Sequence, residues 1–557
     1  MKKKSLLILL SMIFMLSLFL VACGGQESST DEQGGDTSTP ADEGTDEGTD
    51  DEPATEGPQY GGEVVLGSSG EPVLFNAHYH QDSASADKTD LIFAGLMRSN
   101  ENLEMVPSIA VDEPVISEDG MEWTYTIREG VLFHDGEELT AEDVVFTYEI
   151  FLHEDYTGPR AGSFTALEKV EAINDYEVKF TLNEPDARFP TLMSYGILPY
   201  HILGDIPIAD LEDYREFNIE KPIGAGPFEF VSWTPGQNLV LTAFEDYFEG
   251  RPYLDKVTFR FAADSNALVL LMQTGDIDWM VAPPTELPTI ETFDHAKISN
   301  TLALRYDYIG WNLQNPLFQD VAVRQALTHA IDRQEIVETI MEGNAEVAHA
   351  PVSPLSWAYN DNVAKFDFDP EKASQILADA GWEPGSDGIL EKDGERFSFT
   401  ILSNDGNVVR RDIGIIVQQY LGQIGIEVRA EQMEWGAFLD KINPPNYDFD
   451  AVVLAWGLAL DPDPSAIWHS KEIENGLNNI SYRNDTVDEI ADNNTLILDQ
   501  DERAAALAEV WEILAEEQPY TFLYYPEQFL ALNKDIEGFT HHPRSNMYRV
   551  NEWWINE

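Results

Sequence analysis

Between Ser5 and Val21 the chain runs 17 residues without a charge, and no later apolar stretch approaches the ~20 residues that a membrane-crossing helix needs. Everything beyond must bury its apolar groups in cores of its own. The run follows Lys2-Lys3-Lys4 and ends at Ala22-Cys23-Gly24, the pattern of an export leader. From Gly24 to Gln59 there are 12 acidic residues, no Lys or Arg, and otherwise only Gly, Ser, Thr, Pro, Ala and Gln. Such a tract cannot offset its ordering entropy and is expected as a solvated tether. The folded body is therefore expected from Tyr60 onward.

Charge removes one class of partner. The chain carries 101 Asp and Glu against 33 Lys and Arg, a net charge of −68, whereas nucleic acids are held by Lys and Arg that displace counterions. The excess is spread along the body, where 89 acidic residues face 30 basic ones. A distributed acidic surface stays hydrated in concentrated salt, so a salty habitat is expected. The chain is not expected to be mainly disordered, because 43% of residues are hydrophobic and 11% aromatic. The length of 557 residues points to two to four domains. A single cysteine, Cys23, excludes an internal disulfide, a CxxC pair and a cysteine-ligated zinc site.

Within the body the signals mix strands and helices, with no repeat of 20 to 50 residues. Trp123, Tyr125 and Ile127 alternate with Thr124 and Thr126, which predicts a half-buried strand, and Asp135-Gly136 predicts a turn. Thr140 with Asp143 forms a capping box ahead of Val144, Val145, Phe146 and Tyr148. Asp369-Pro370 opens a helix with Ala373, Ile376, Leu377 and Ala380 on one face and Gly381 as its stop. Val323, Ala326, Leu327, Ala330 and Ile331 repeat that spacing, and the helical pattern ends near Gly343-Asn344. These faces read as core.

A set of ordered phrases then carries a resemblance. They are Asp119-Gly120 through Ile127-Arg128, Phe133-His134-Asp135-Gly136, Leu139-Thr140-Ala141-Glu142-Asp143-Val144, Pro222-Ile223-Gly224-Ala225-Gly226-Pro227-Phe228 and Gly250-Arg251-Pro252-Tyr253-Leu254-Asp255. Val323-Arg324-Gln325-Ala326-Leu327, Ala330-Ile331-Asp332-Arg333 and Leu377-Ala378-Asp379-Ala380-Gly381-Trp382 continue the set. Together they resemble the solute-binding proteins of peptide-type ABC importers, family 5, oligopeptide branch. The resemblance implies an α/β fold of the periplasmic-binding-protein type, two-lobed and three-domain, with mixed sheets, closing like a Venus flytrap. It implies a discontinuous first lobe over 60–95, 190–309 and 526–557, an extra domain over 96–189 and a second lobe over 310–525. It also implies that Leu20-Val21-Ala22-Cys23, which resembles the bacterial lipobox, is cleaved before Cys23, whose thiol then carries diacylglycerol. The mature protein would be a monomer anchored on the outer face of the cell membrane, with residues 1–22 removed.

A receptor for varied peptides must recognise what all peptides share: backbone amides, an α-ammonium and an α-carboxylate. Backbone can pair as an added strand, and a desolvated ammonium needs a carboxylate. Trp456-Gly457-Leu458-Ala459-Leu460-Asp461-Pro462-Asp463-Pro464 resembles the family segment that supplies this carboxylate, with Asp461 or Asp463 as the ammonium partner. The competing reading makes both aspartates turn formers, Asp461 capping a helix near Ser465. Trp456 and Trp435 match family positions flanking ligand, as walls or as core, and Gly457 would admit ligand backbone. By the same resemblance Glu71, Tyr308 and Asn312 are further ligand contacts.

Catalysis is not expected. The sequence has no GxSxG, HExxH or Walker loop, its eleven histidines are scattered, and no constellation accompanies His134, which reads as a structural hydrogen-bonder. No cofactor is expected. His78 and His80 could share one strand face and a metal ion, while His541-His542 would point oppositely. The expected function is capture of short peptides for delivery to the membrane subunits of an ABC permease. The alternatives are another solute in the same fold (a nickel complex, haem or an oligosaccharide), or an extracellular peptidase or chaperone.

Overall fold

The computed structural model describes residues 57–80, 82–474 and 476–556. The leader, the lipobox with Cys23 and the acidic tether lie outside them.

Local signals act where the sequence places them. Glu122–Thr126 is a strand with Trp123 and Tyr125 buried, and it sits in a four-stranded antiparallel sheet with Val115–Ile116, Glu177–Leu182 and Leu167–Asn174. The helix Ala141–Leu152 packs on this sheet. Its capping box is complete: the Thr140 amide donates to Asp143 Oδ2 at 2.8 Å and the Thr140 side chain accepts from the Glu142 amide. Asp369 caps Pro370–Asp379 by accepting from the Lys372 amide at 2.8 Å, and Gly381, at φ +91°, turns the chain away after it. The apolar spacing after Asp320 yields two helices where the sequence pattern reads as one. Val321–His329 stops before Asp332, whose carboxylate accepts from the Glu335 amide at 2.9 Å and starts Arg333–Thr339. A competent cap there outweighs the continuing periodicity.

The main sheet has twelve strands among the described residues. Its path runs Glu427–Met433, Ser398–Asn404, Ala451–Gly457, Arg305–Trp311, Tyr520–Asn533, Trp279–Ala282, Glu63–Ser68, Lys256–Phe261, Asn238–Ala243 and Phe228–Thr234. The 14-residue strand Tyr520–Asn533 is the join. Its first half pairs with Arg305–Trp311 and Ala345–Val347, its second half with Trp279–Ala282 and Ala296–Leu302.

Separate cores flank that join. One gathers side chains from Val64 to Phe259 together with Leu530, Ile536 and Trp553, and a smaller one surrounds Met272 and Met280. Beyond the join, alternation along the strands divides the apolar residues between two faces. Ile309, Trp311 and Val453 pack on one face, and Tyr306, Tyr308, Val452 and Leu454 on the other.

Candidate functional site

The strands Ser398–Asn404, Glu427–Met433 and Ala451–Gly457 run parallel and so end on one edge. Helices start just beyond two of these ends: Val408–Gln423, capped by Asn407, and Trp435–Ile442, capped by Glu434. Glu63–Ser68 and Lys256–Phe261 are likewise parallel and end together. In open α/β sheets, ligands bind outside such carboxyl ends. A cavity of about 760 Å³ draws its wall from both groups of elements, and its size falls within that of ligand sites, roughly 300–1,000 Å³. Gly67 to Gly70 and Phe259 come from one group, Asn407, Val409 and Arg410 from the other.

Further stretches add to the wall. Arg305 and Asp307 come from Arg305–Trp311 and Tyr524 from the join, and the register of this pair slips between Asp307 opposite Tyr524 and Tyr308 opposite Phe522. This bulge places a buried carboxylate on the wall. Arg305 closes it with two contacts, Nε to Oδ2 at 2.8 Å and Nη2 to Oδ1 at 2.6 Å. Burial raises the Asp307 pKa while Arg305 lowers it. Lys88 and Asp87 enter from the helix Ser83–Ile92.

The wall contains none of the eight binding residues expected from the sequence, although it includes Gly70, beside Glu71, and Arg305, the strand partner of Gly457. Asp461 has both carboxylate oxygens on Arg503, at 2.5 and 2.7 Å, and Arg503 is 2% exposed. Asp463 accepts from Arg188 Nη1 at 3.0 Å, from the Ser465 amide and hydroxyl, and from Asn494 Nδ2. Asp461 in turn accepts from the Asp463 amide at 3.1 Å, so both aspartates hold the turn, and the helix at Ser465 starts after Pro464 without a side-chain cap. Glu71 accepts from the Gly236 amide at 2.8 Å.

The aromatic residues divide. Tyr308 is fully buried and stacks on Tyr520 with ring centroids 3.8 Å apart. Asn312, 3% exposed, donates to the carbonyls of Tyr447 and Phe449 and accepts from the Gln314 amide. Both are built into the core. Trp456 is partly buried and donates from its indole to the Tyr520 hydroxyl at 3.3 Å. Trp435, 46% exposed, stacks on Phe438. Gly457 is exposed, and a Cβ added there would meet nothing within 4 Å.

The histidines are not on strands. Residues 77–79 form a turn, in which the Tyr79 and His80 amides donate to the Asn76 carbonyl and the His78 amide to the Asn76 side chain. Strand geometry therefore does not relate His78 to His80. Both are buried, which pushes their pKa down to about 3 and about 4. No group of three potential metal ligands occurs among the described residues.

His134 pins a turn. The Gly224 amide donates to its Nδ1 at 3.3 Å, and its Nε2 lies 3.0 Å from the Gly226 carbonyl. Gly224 and Gly226 pass so close to Ile92 that a Cβ on either would lie 2.1 or 2.6 Å from its backbone. Burial pushes the His134 pKa down to about 4 from an ordinary 6.5. A histidine held below its unfolded pKa contributes fully above about pH 6.5 and loses that contribution as pH falls toward 4. Denaturant unfolding of wild type and His134→Asn over that window should therefore show a steeper acid loss in the wild type.

Several wall residues escape a reading of the sequence. Lys88, Asp307 and Tyr524 carry no local signature, since each is placed by packing. Arg410 had one: Arg410-Arg411 opens a helix with no acid in its first turn, against the usual preference.

Comparison with known proteins fits this architecture. Residues 104–476 match the model of the bacterial extracellular solute-binding proteins, family 5. The chain is 44% identical over 559 residues to the oligopeptide-binding protein AppA of Bacillus subtilis strain 168, covering 100% of this chain and 99% of the relative. The structure of AppA from Bacillus subtilis in complex with a nonapeptide superposes with a TM-score of 0.75 at 46% identity, covering 90% of this chain and 100% of that one. NikZ from Campylobacter jejuni in complex with Ni(L-His) superposes with a TM-score of 0.76 at 27% identity, covering 88% and 99%. The mixed α/β architecture is thus the two-lobed periplasmic-binding fold, and such proteins bind solutes without bond chemistry. The chain belongs to the bacterial extracellular solute-binding proteins of family 5.

Proposed function

We propose that this protein is the receptor of an ABC importer, holding oligopeptides in the cavity between the two groups of strand ends and presenting them to the permease. The observation that carries the reading is the cavity itself, at the carboxyl ends of parallel strands, beside the exposed strand end at Gly457. Exposed strand ends can pair with extended backbone of any sequence. The 44% identity to an oligopeptide-binding protein supports the same ligand class. In this reading the lobes lie on either side of Tyr520–Asn533, with boundaries as the family resemblance implies. Ligand touching both lobes favours the closed form, and that differential affinity is the signal to the permease. Cys23 carries the lipid anchor on the outer face of the membrane.

Trp456, Gly457 and Trp435 remain proposed ligand contacts, all at strand ends or helix starts. Asp461 and Asp463 are read as anchors of the loop, because Arg503 pairs with Asp461 and Arg188, which also holds Asp186, reaches Asp463. Native mass spectrometry of the protein released from its own cells should show adducts with peptide masses. Adducts of metal complexes or sugars alone would overturn the proposal.

A further inference from the structure

The apolar cores divide at the join. The core that holds Val64 and Phe259 also holds Trp123, Phe180 and Phe189, so the four-stranded sheet and its helix pack as one body with the strand Glu63–Ser68. Among the described residues, none from 310–525 enters that core. They pack in two others, with Trp311 in one and Trp468 in the other.

The two sides also meet at residues outside the join. Arg188, beside Phe189 of the first core, donates from Nη1 to Asp463 Oδ2 on the second side at 3.0 Å. The Ala187 amide donates to the Thr495 carbonyl at 2.7 Å. Gly120, at φ +72°, passes so near Leu498 that a Cβ there would lie 2.5 Å from its Cδ1. Neither Arg188 nor Asp463 is on the cavity wall.

Each half of the Arg188–Asp463 pair is built within its own side. Asp186, 2% exposed, accepts Arg188 Nε on Oδ1 and Nη2 on Oδ2, both at 2.9 Å, which leaves Nη1 for Asp463. Across from it, Asp463 Oδ1 accepts from the Ser465 amide, the Ser465 hydroxyl and Asn494 Nδ2, which leaves Oδ2 for Arg188. Asn494 Oδ1 in turn accepts from Arg503, which holds Asp461. A guanidinium and a carboxylate fixed beforehand lose little freedom on meeting, and their charge-assisted bond is directional. The Arg188 side chain is 32% exposed, so water reaches the pair and it can part at modest cost.

We propose that Arg188 and Asp463 form a clasp that favours the closed arrangement of the two sides before ligand arrives, and so sets the strength of capture for every peptide alike. The proposal rests on the reading of two lobes that close on a peptide. A ligand that needs the closed form binds with an apparent affinity scaled by the closed fraction. Cutting a contact that touches no ligand lowers that fraction by one factor for all ligands. Bound peptide leaves through the open form, so its release quickens as well.

The test compares wild type with Arg188→Gln, Asp463→Asn and the double variant. Calorimetry with two nonapeptides of unrelated sequence gives affinities, stopped-flow fluorescence gives release rates, small-angle X-ray scattering gives the radius of gyration without ligand, and urea gives the unfolding midpoint. Arg188→Gln should weaken both peptides by the same factor, about five- to tenfold. It should also speed release and enlarge the ligand-free protein, with the unfolding midpoint nearly unchanged. Asp463→Asn should repeat the pattern, since its amide oxygen can still accept from Ser465 while the charge facing Arg188 is gone. The double variant should bind no more weakly than the weaker single one, because one pair is lost in all three.

Unchanged affinity in both single variants overturns the clasp. A loss confined to one peptide also overturns it, and places the pair against ligand. A lower unfolding midpoint with unchanged affinity makes the contact a fixed part of the frame and overturns the clasp too. If wild type binds neither peptide, the peptide reading fails, and scattering then judges the clasp by itself. Expansion of ligand-free Arg188→Gln relative to wild type supports it, and equal dimensions overturn it.

Discussion

Arg503→Met should lower the unfolding free energy by about 3–5 kcal/mol, because it strands a buried carboxylate. Asp461 has 11% of its side chain exposed and Arg503 only 3%. Burial raises the Asp461 pKa, and Arg503 is the largest influence lowering it. Arg503 also donates from Nε and Nη2 to Asn494 Oδ1, so its loss leaves a second acceptor unpaired. Urea unfolding measures the loss, and the double change Arg503→Met with Asp461→Leu should recover much of it, since removing both charges removes the desolvation problem. A loss under about 1 kcal/mol, the size of an exposed ion pair, would mean that Asp461 is not held by Arg503 in solution. It would then be available to a ligand ammonium.

Tyr308→Ala should cost about 3–5 kcal/mol, as large-to-small changes of fully buried aromatic residues do. Its ring is sandwiched between Tyr520, at 3.8 Å, and Trp456, at 6.4 Å, with interplanar angles of 16° and 12°. Removing it opens a cavity that these rigid neighbours cannot fill by rotamer changes. Thermal unfolding reads the loss, and peptide affinity of the fraction that remains folded should change little. A Tyr308→Ala protein of normal stability that no longer binds peptide would place the ring against ligand instead of in the core.

Both expectations concern residues that the sequence marks for the site and the structure builds into the frame. Asp461 and Asp463 stand in a proline-bracketed loop that resembles a ligand segment, but their neutralising partners are 42 and 275 residues away. Carboxylates look alike in sequence whether a ligand or an arginine awaits them. Lys88 shows the converse. It sits in a polar helix whose pattern suggests exposure, yet the loop Ser68–Gly70 and Phe259 enclose it. His78 and His80 fail as a strand pair because the Asn76 side chain and carbonyl bend the chain between them.

The sequence by itself determined the elements whose hydrogen bonds close within a few residues. These include the capping box at Thr140 and Asp143, the cap at Asp369 and the stop at Gly381. The ordered phrases also determined the family, since they record the whole fold at once. Only the tertiary structure decided which charges were already spent inside the protein and which still face the cavity. Short-range caps depend on neighbours along the chain, whereas the state of a charge depends on burial and on partners that folding brings from anywhere in it.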